Sequence, residues 1–296
     1  MNALFRTVLL ATCFVTVSVS GQATQPVWQN LPQGQLILRP FVNAPYPHPS
    51  REEGFKGRGT MYPKDPHYVD STVGIFVPAG YTPGATVDYV VHFHGHGNHV
   101  SKVMTQYKLA EQFTAAKLNA ILIVPQGPRD ASDSGGGKLE LEKGGFEKLI
   151  DEVTKYLRAE GKINTDRVGK IVLSTHSGGY KVTAAILDHG GLADHITDVL
   201  LLDSSYGSLE WYANWAAASP SHRLISLHTQ HLDAANKELM GLLDKGGVEY
   251  AEREEGTATE EQLASRGVTF IPVKGPHDEI PNQYFGRLLK GSALAK

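Results

Sequence analysis

Residues 170–182 read KIVLSTHSGGYKV, and this stretch decides the fold of the chain. An apolar run at residues 171–174 leads into Ser177, a serine between small residues, and then into a segment of helical character. A serine at a tight strand-to-helix turn is lifted out of the sheet edge, so its hydroxyl becomes accessible. The usual pattern is G-x-S-x-G, whereas here Thr175 replaces the first glycine and its branched side chain crowds the turn. The stretch therefore predicts either a reactive serine at a nucleophile elbow or an ordinary βα turn.

The rest of the chain alternates between short apolar runs and helical segments. The strand candidates are residues 72–77, 89–93, 120–124, 171–174, 199–202, 224–227 and 268–273, and the helix candidates are residues 103–116, 145–159, 180–189, 209–218, 234–243 and 281–289. This rhythm predicts an α/β fold with a mostly parallel central sheet and helices on both faces. The few residues between Asp203 and the helix at 209–218 leave no room for a large lid domain.

Three segments are expected along the chain. Residues 1–23 have a single positive charge, an apolar stretch and small residues before the end, which is typical of a signal peptide and predicts a secreted or periplasmic protein without a stable membrane anchor. Cys13, the only cysteine, lies in this leader, so the exported form has no disulfide. Residues 24–70, rich in Pro, Gly and Asn, are interpreted as an N-terminal extension, and residues 71–296 as a catalytic domain.

Charge and motifs exclude some partners. The net charge is −3 and no cluster of Lys and Arg is present, which argues against a nucleic-acid partner. The run Gly135-Gly136-Gly137-Lys138 lacks the spacing and the following Ser or Thr of a P-loop, and we predict no cofactor. We interpret residues 134–138 as a mobile loop beside the cleft.

Polar residues at the carboxyl ends of the predicted strands are site candidates, because ligands bind at that edge of such sheets. A serine becomes nucleophilic when a base takes its proton and a carboxylate orients the base. His277 follows the last strand and precedes the last helix, which suits the chain order Ser, acid, His. Asp203 ends one strand and Asp233 follows the next, so we expect Asp203 as the acid and keep Asp233 as the alternative.

An oxyanion formed at Ser177 needs two fixed N–H donors. Gly178, directly after the nucleophile, is expected to supply one. The run His94-Gly95-His96-Gly97 follows a strand and matches an H-G-x-G loop, so the amide of His96 or Gly97 is expected to supply the second.

These motifs together resemble the α/β-hydrolase superfamily over residues 71–289. Residues 73–81 (VGIFVPAGY) and the run VVHFHG at residues 90–95 are similar to secreted feruloyl esterases and polyhydroxybutyrate depolymerases. The resemblance implies ester hydrolysis through an acyl-enzyme, with Ser177, His94–Gly97 and His277 at the matching positions. It does not identify the substrate, but the open cleft expected without a lid favours an exposed ester that is carbohydrate- or polymer-linked.

Two other functions remain open. The run HGHGNH at residues 94–99 is one residue from the H-x-H-x-D-H motif of zinc hydrolases, so His94, His96 and His99 are candidate zinc ligands, although Asn98 lacks the carboxylate. A hydrolase-like fold can also be kept for binding alone.

One group of aromatic residues is a candidate substrate platform. Trp211, Tyr212 and Trp215 lie on a predicted helix near the cleft, where they would bind a sugar or aryl ring. Since Trp211 and Trp215 are one turn apart, the sequence favours a place for them in the core over a substrate platform.

Overall fold

The computed structural model describes residues 26–295. The predicted signal peptide at residues 1–23, including Cys13, lies outside the described residues, so the leader stays a prediction. No helix within residues 26–295 is long and apolar enough to cross a membrane.

The described chain contains twelve strands and ten α-helices. The strands are β1 (Gln29–Leu31), β2 (Gly34–Pro40), β3 (Phe55–Gly57), β4 (Thr60–Tyr62), β5 (Thr72–Pro78), β6 (Val87–Phe93), β7 (Ile121–Pro125), β8 (Val168–His176), β9 (Ile196–Leu202), β10 (Arg223–His228), β11 (Tyr250–Glu252) and β12 (Gly267–Pro272). The helices are α1 (Lys64–His67), α2 (Val100–Gln106), α3 (Leu109–Ala115), α4 (Lys138–Leu141), α5 (Gly145–Ala159), α6 (Tyr180–His189), α7 (Leu209–Ala218), α8 (Asp233–Lys245), α9 (Glu260–Ala264) and α10 (Ile280–Lys290).

Ten strands form one sheet in the order β1-β2-β5-β7-β6-β8-β9-β10-β12-β11. The strands from β7 to β11 in this order are parallel, whereas β1, β2 and β5 pair antiparallel at one edge. The mostly parallel sheet predicted from the sequence is therefore confirmed. The N-terminal extension contributes β1 and β2 to this sheet, and β2 pairs with β5 along its whole length. The remaining strands, β3 and β4, form a separate hairpin.

Side chains alternate between the two faces of the central strands and build two apolar layers. Leu173 of β8 packs in the layer that contains α5, α6, α7 and α8, whereas Val172 packs in the layer that contains α2, α3 and α10. Burial on both faces explains why these strands are continuous apolar runs instead of alternating ones. The carboxyl ends of β6, β8, β9, β10 and β12 meet at one edge, where the candidate residues lie.

Candidate active site

Ser177 lies at a sharp turn between β8 and α6. The residue has a φ of +52°, a conformation that costs energy for any residue with a side chain and is retained where the surrounding structure enforces it. Residues Ser177–Gly179 form a 3-10 turn that continues into α6. A Cβ atom at Gly95 would lie 2.6 Å from the Ser177 Cβ atom, so glycine is required where the neighbouring loop passes the serine.

Thr175 is accommodated despite its branched side chain. It is fully buried, its hydroxyl lies 3.2 Å from the Ser204 Oγ atom, and Ser204 donates a hydrogen bond of 2.8 Å to the Ser177 carbonyl. A Cβ atom at Gly179 would lie 2.4 Å from the Thr175 Oγ1 atom. The space taken by Thr175 is therefore left free by Gly179, and its hydroxyl helps to hold the turn through Ser204.

Asp203 and His277 are brought together across the strand ends. The Nδ1–H group of His277 donates to the Asp203 Oδ2 atom at 2.6 Å. Asp203 is fully buried and also accepts hydrogen bonds from the Thr229 amide at 2.7 Å and the Thr229 hydroxyl at 2.9 Å. Burial acts to raise the pKa of Asp203, but the hydrogen bonds from His277 and Thr229 outweigh it and hold the pKa below its usual value. This carboxylate is thus ionised and fixed beside the His277 ring.

Asp233, the alternative acid, lies elsewhere. It is the first residue of α8, its side chain is 48% exposed, and its carboxylate is 3.6 Å from the His228 Nε2 atom. The structure therefore pairs His277 with Asp203 and not with Asp233.

A second histidine, His176, lies under the ring of His277. Their ring centroids are 4.6 Å apart, and the His176 Nε2 atom is 3.2 Å from the His277 carbonyl oxygen. Burial, together with the adjacent His277, lowers the pKa of His176 to about 3. The His176 ring is therefore neutral near pH 7. Because His176 directly precedes Ser177, this ring contact also places the His277 ring next to the turn.

Tyr206 lies at the mouth of the site and is connected to Asp203 by a chain of hydrogen bonds. Since a carboxylate only accepts, Thr229 donates its hydroxyl to Asp203 and accepts from the His231 Nδ1–H group at 2.6 Å. The His231 Nε2 atom then accepts from the Tyr206 hydroxyl at 2.7 Å. Burial and the Asp203 charge raise the pKa of Tyr206, against the opposing effect of the Ser177 hydroxyl beside it.

The loop after β6 is fixed by His94. The Gly127 amide donates to the His94 Nε2 atom at 3.0 Å, so the proton is on Nδ1, which donates to the Gly95 carbonyl at 2.9 Å. Burial lowers the pKa of His94 to about 4, and the ring stays neutral. These two hydrogen bonds hold His94 within the loop in which sequence analysis placed it.

The candidate oxyanion donors differ in their availability. The Gly97 amide donates to the Ala131 carbonyl at 3.1 Å, so Gly97 is already engaged, contrary to our expectation that it was a possible second donor. Within residues 26–295, the amides of His96 and Gly178 donate to no protein acceptor. The His96 ring lies against Gly178, where an added Cβ atom would be 2.5 Å from the His96 Cδ2 atom, and its Nε2 atom is 2.7 Å from the Ser134 Oγ atom.

The alternative zinc site at His94, His96 and His99 is not formed. Each ring has its own partner, and the His99 Nδ1 atom lies 3.0 Å from Asp130. Within the described part of the chain, the clusters of potential metal ligands are His176 with His277 and Asp278, and Asp203 with His231 and His277. The sequence lacks a carboxylate at position 98, and in the structure the rings of His94, His96 and His99 do not converge on one point.

Solved structures share this architecture. A feruloyl esterase module from Clostridium thermocellum, in complex with sinapinate, matches with a TM-score of 0.54 and 11% identity, over 91% of this chain and 94% of that one. An S-formylglutathione hydrolase from Agrobacterium tumefaciens matches with a TM-score of 0.50 and 10% identity, over 90% and 98% of the two chains. The chain has the α/β-hydrolase fold. No protein-family model and no curated protein sequence matches it.

A glycine-rich loop, residues 134–138, lies beside Gly178 at the edge of the sheet where the strands end. Residues 134–138 are anchored by the N-terminal extension, contrary to the mobile loop expected from the sequence. Arg51 binds the Asp133 carboxylate through its Nε atom at 2.7 Å and the Gly135 carbonyl at 2.9 Å. The Tyr46 hydroxyl donates to the same carbonyl at 2.6 Å. The N-terminal extension thus lines, through Pro45 and Tyr46, the same pocket as Gly178.

The aromatic platform predicted on α7 is largely core. Tyr212 is fully buried and donates its hydroxyl to the Tyr180 carbonyl at 2.5 Å, and Trp215 is 5% exposed and stacks on His222 at 4.1 Å. Only Trp211 is partly exposed. Tyr206 is the aromatic side chain that lies at the mouth of the site. Sequence analysis missed it because no periodic apolar pattern surrounds it.

Proposed function

We propose that the protein is a serine hydrolase that cleaves carboxylic esters through an acyl-enzyme. Ser177 is the nucleophile, His277 the base and Asp203 the acid, and the amides of Gly178 and His96 bind the oxyanion. The observation that supports this most directly is the 2.6 Å hydrogen bond between His277 and a buried, ionised Asp203, formed beside a serine held at a φ of +52°. The two solved structures compared above are named as a feruloyl esterase module and an S-formylglutathione hydrolase, in keeping with the proposal.

The proposed reaction follows from these positions. Ser177 Oγ attacks the ester carbonyl carbon while the His277 Nε2 atom takes its proton, and the negative charge forms on the carbonyl oxygen near the two amides. His277 then gives the proton to the leaving alcohol, and the same steps with water release the acid. Within residues 26–295, no hydrogen bond joins Ser177 Oγ to His277 before substrate binds. Such bonds are often long in the free enzyme and shorten when the substrate is bound.

The substrate is proposed to be an ester on an exposed alcohol, such as a carbohydrate- or polymer-linked one. The side of the site next to His277 carries Tyr206, which is 40% exposed, and the residues between Asp203 and α7 contain no lid. An open alcohol side accepts a large leaving group. The proposed location outside the cytoplasm rests on the leader at residues 1–23 and is tested by the N-terminal sequence of the exported protein.

A fluorophosphonate probe together with an ester assay tests the proposal. The wild type should be labelled and the Ser177→Ala variant should not, because the probe reacts with an activated serine. Ser177→Ala and His277→Ala should each lower kcat by about 10⁴-fold or more, with unchanged thermal unfolding. Ser101→Ala, which changes an exposed serine of α2, is the matched control and should behave as wild type. Absence of labelling in the wild type would favour a protein kept only for binding.

A further inference from the structure

A second cleft lies at the edge of the sheet opposite to Ser177. It contains about 480 Å³ of space between the end of α6, the turn before β9 and the second half of α7, and we call it the α6–α7 cleft. Asp194 and His222 in its walls lie just before the parallel strands β9 and β10, whereas Ser177 follows β8. The length of these strands separates the two edges by about 20 Å. The α6–α7 cleft is therefore distinct from the proposed catalytic centre.

The wall that α7 contributes is aromatic. Trp211 and Trp215, one helical turn apart, both line the α6–α7 cleft, and His222 stacks on Trp215 with the ring centroids 4.1 Å apart and the planes nearly parallel. Trp211 is partly exposed, and its Nε1 atom donates to no acceptor among residues 26–295. The Nε1 atom of Trp215 is buried and also has no partner in that part of the chain. This wall therefore combines ring surface with two indole N–H groups that the protein leaves unpaired.

The rim of the α6–α7 cleft supplies polar side chains. Asn214 and Asp194 are exposed, and within the described chain neither forms a side-chain hydrogen bond or an ion pair. Asp188, a second carboxylate in the walls, is held by the His189 Nδ1 atom at 2.8 Å. An occupant thus meets a free amide and a free carboxylate in addition to the indole donors.

The charge and hydrogen-bonding groups of the walls restrict the ligand. Asp188 and Asp194 line the α6–α7 cleft, and no Lys or Arg does so in the part of the chain that the structure describes, so an anionic ligand is repelled. A cation such as an ammonium group satisfies the carboxylates but offers no acceptor to the indole and amide N–H groups. A neutral hydroxyl group both donates and accepts, so it suits Asp194 and also Asn214 and Trp211.

We propose that the α6–α7 cleft binds a neutral saccharide chain. A saccharide brings both features that the walls require, which are hydroxyl groups and a ring face made of C–H groups that packs against an aromatic side chain. Trp211 contacts such a face, while Asn214 and Asp194 bind the hydroxyl groups at the rim. This site goes beyond the proposed ester hydrolysis, because binding here needs no reactive serine.

Tryptophan fluorescence measures this binding, since the chain has three tryptophans, Trp28, Trp211 and Trp215. The protein is titrated with xylohexaose, cellohexaose and mannohexaose, and at least one of these neutral oligosaccharides should change the emission. The change should persist in Trp28→Phe and be much smaller in Trp211→Phe. A hexamer of galacturonic acid, which is anionic, should give no change. Absence of binding for all three neutral oligosaccharides would overturn the proposal.

Substitutions in the walls test the position of the saccharide, with calorimetry to measure Kd and thermal unfolding to verify the fold. Trp211→Ala should weaken binding by about tenfold or more, because tryptophan is a residue whose truncation at a binding site has a large effect. Asn214→Ala should weaken it about 3- to 10-fold through the loss of hydrogen bonding. Since Asn214 is exposed, this variant keeps the test valid if Trp211→Ala fails to fold. Glu210→Ala, at an exposed position of α7 outside the walls, is the matched control and should bind as wild type.

Two other results would contradict the proposal. If Tyr206→Ala abolishes binding while Trp211→Ala and Asn214→Ala leave Kd unchanged, the saccharide lies at the Ser177 site and not in the α6–α7 cleft. If a glucosamine hexamer, which is cationic, binds more tightly than all three neutral oligosaccharides, the class of ligand is wrong.

Failure of this proposal is distinguishable from failure of the proposed function. Trp211→Ala and Asn214→Ala should hydrolyse nitrophenyl butyrate at the wild-type rate, because both residues lie outside the proposed catalytic centre. Ester hydrolysis and labelling of Ser177 by the fluorophosphonate, without saccharide binding, would reject the saccharide site and leave the function in place. Saccharide binding that depends on Trp211, without labelling of Ser177, would reject the function and leave the saccharide site in place.

Discussion

Asp203 and Asp233 are two carboxylates that local sequence hardly distinguishes, but their environments predict a large loss of activity on mutation of Asp203 and a small effect on mutation of Asp233. Asp203→Asn should lower kcat by about 10⁴-fold, because an amide in place of the carboxylate no longer fixes the Nδ1–H form of His277. Asp233→Asn should change kcat less than about threefold, since that side chain is half exposed and faces His228. Steady-state kinetics with a nitrophenyl ester compare the two variants. Similar losses in both would contradict the assignment of the acid.

The prediction for His176 concerns positioning and not chemistry. His176→Phe keeps an aromatic ring under His277 but loses the hydrogen bond to its carbonyl, so the base should be less well aligned. We expect kcat to fall about 10- to 100-fold with little change in KM. His176→Gln, which can still donate, should recover much of kcat. Equal losses in the two variants, with unchanged urea denaturation, would show that the hydrogen bond does not position His277.

The residues at the site differ in how far sequence predicts them. Ser177, Gly178 and His277 are found because each stands next to a strong local signal, a strand end followed by a turn. Thr229 and His231 carry no such signal, since their contact with Asp203 depends on β9 and β10 lying side by side. The preference for Asp203 over Asp233 likewise depends on which strand end His277 faces.

At the scale of elements, prediction succeeds where burial imposes a period. The bounds of α5, α6 and α7 agree with the sequence expectation, and all seven predicted strands are present. One predicted helix, at residues 103–116, is instead two, because Lys108 adopts a φ of +47° and breaks it. The short edge strands β1 and β11 are not predicted, since three residues are too few to show alternation.

The contact between the N-terminal extension and the glycine-rich loop gives a prediction at this scale. Arg51→Ala leaves the Asp133 carboxylate, which is 5% exposed, without its cation and should lower the free energy of unfolding by about 3 kcal/mol. Because Gly135 also loses a donor, the KM for ester substrates should rise.

An exposed ion pair in the same segment is the control for Arg51. Lys64 pairs with Glu52 at 2.6 Å, but the two side chains are 39% and 61% exposed. Lys64→Ala should therefore lower the free energy of unfolding by less than about 1 kcal/mol. Urea denaturation measures both variants, and a loss at Arg51 no greater than that at Lys64 would contradict the anchoring role.

At the scale of the whole molecule, the sheet and its two helical layers enclose titratable groups far from water. His92 and His176 lie inside the central strands and His94 directly follows β6, and burial lowers their pKa values to about 3, 3 and 4 from an ordinary 6.5. The folded protein thus keeps these rings neutral at a pH where the unfolded chain protonates them. The same packing that places His94 and His176 at the site therefore makes the fold sensitive to acid.

The sign of the resulting pH dependence follows from proton binding. Between pH 6.5 and about 4 the unfolded chain binds more protons than the folded one, so stability falls as the pH falls. Each of the three histidines should lower the free energy of unfolding by about 2 kcal/mol between pH 7 and pH 5. Asp203, whose pKa is lowered from 3.8, adds its own loss only at more acidic pH. His189, whose pKa is raised by Asp188, opposes the trend at the surface.

Urea denaturation at pH 7, 6 and 5 measures this dependence. The wild type should lose several kcal/mol of unfolding free energy over that range. His92→Asn should flatten the slope by about 1.4 kcal/mol per pH unit below pH 6, because one buried neutral ring is removed. His92 suits this test because its Nε2 atom is buried without a partner among residues 26–295, and its Nδ1 atom is paired with the Ser174 Oγ atom at 3.1 Å. An unchanged slope in His92→Asn would mean that this ring takes up a proton in the folded state.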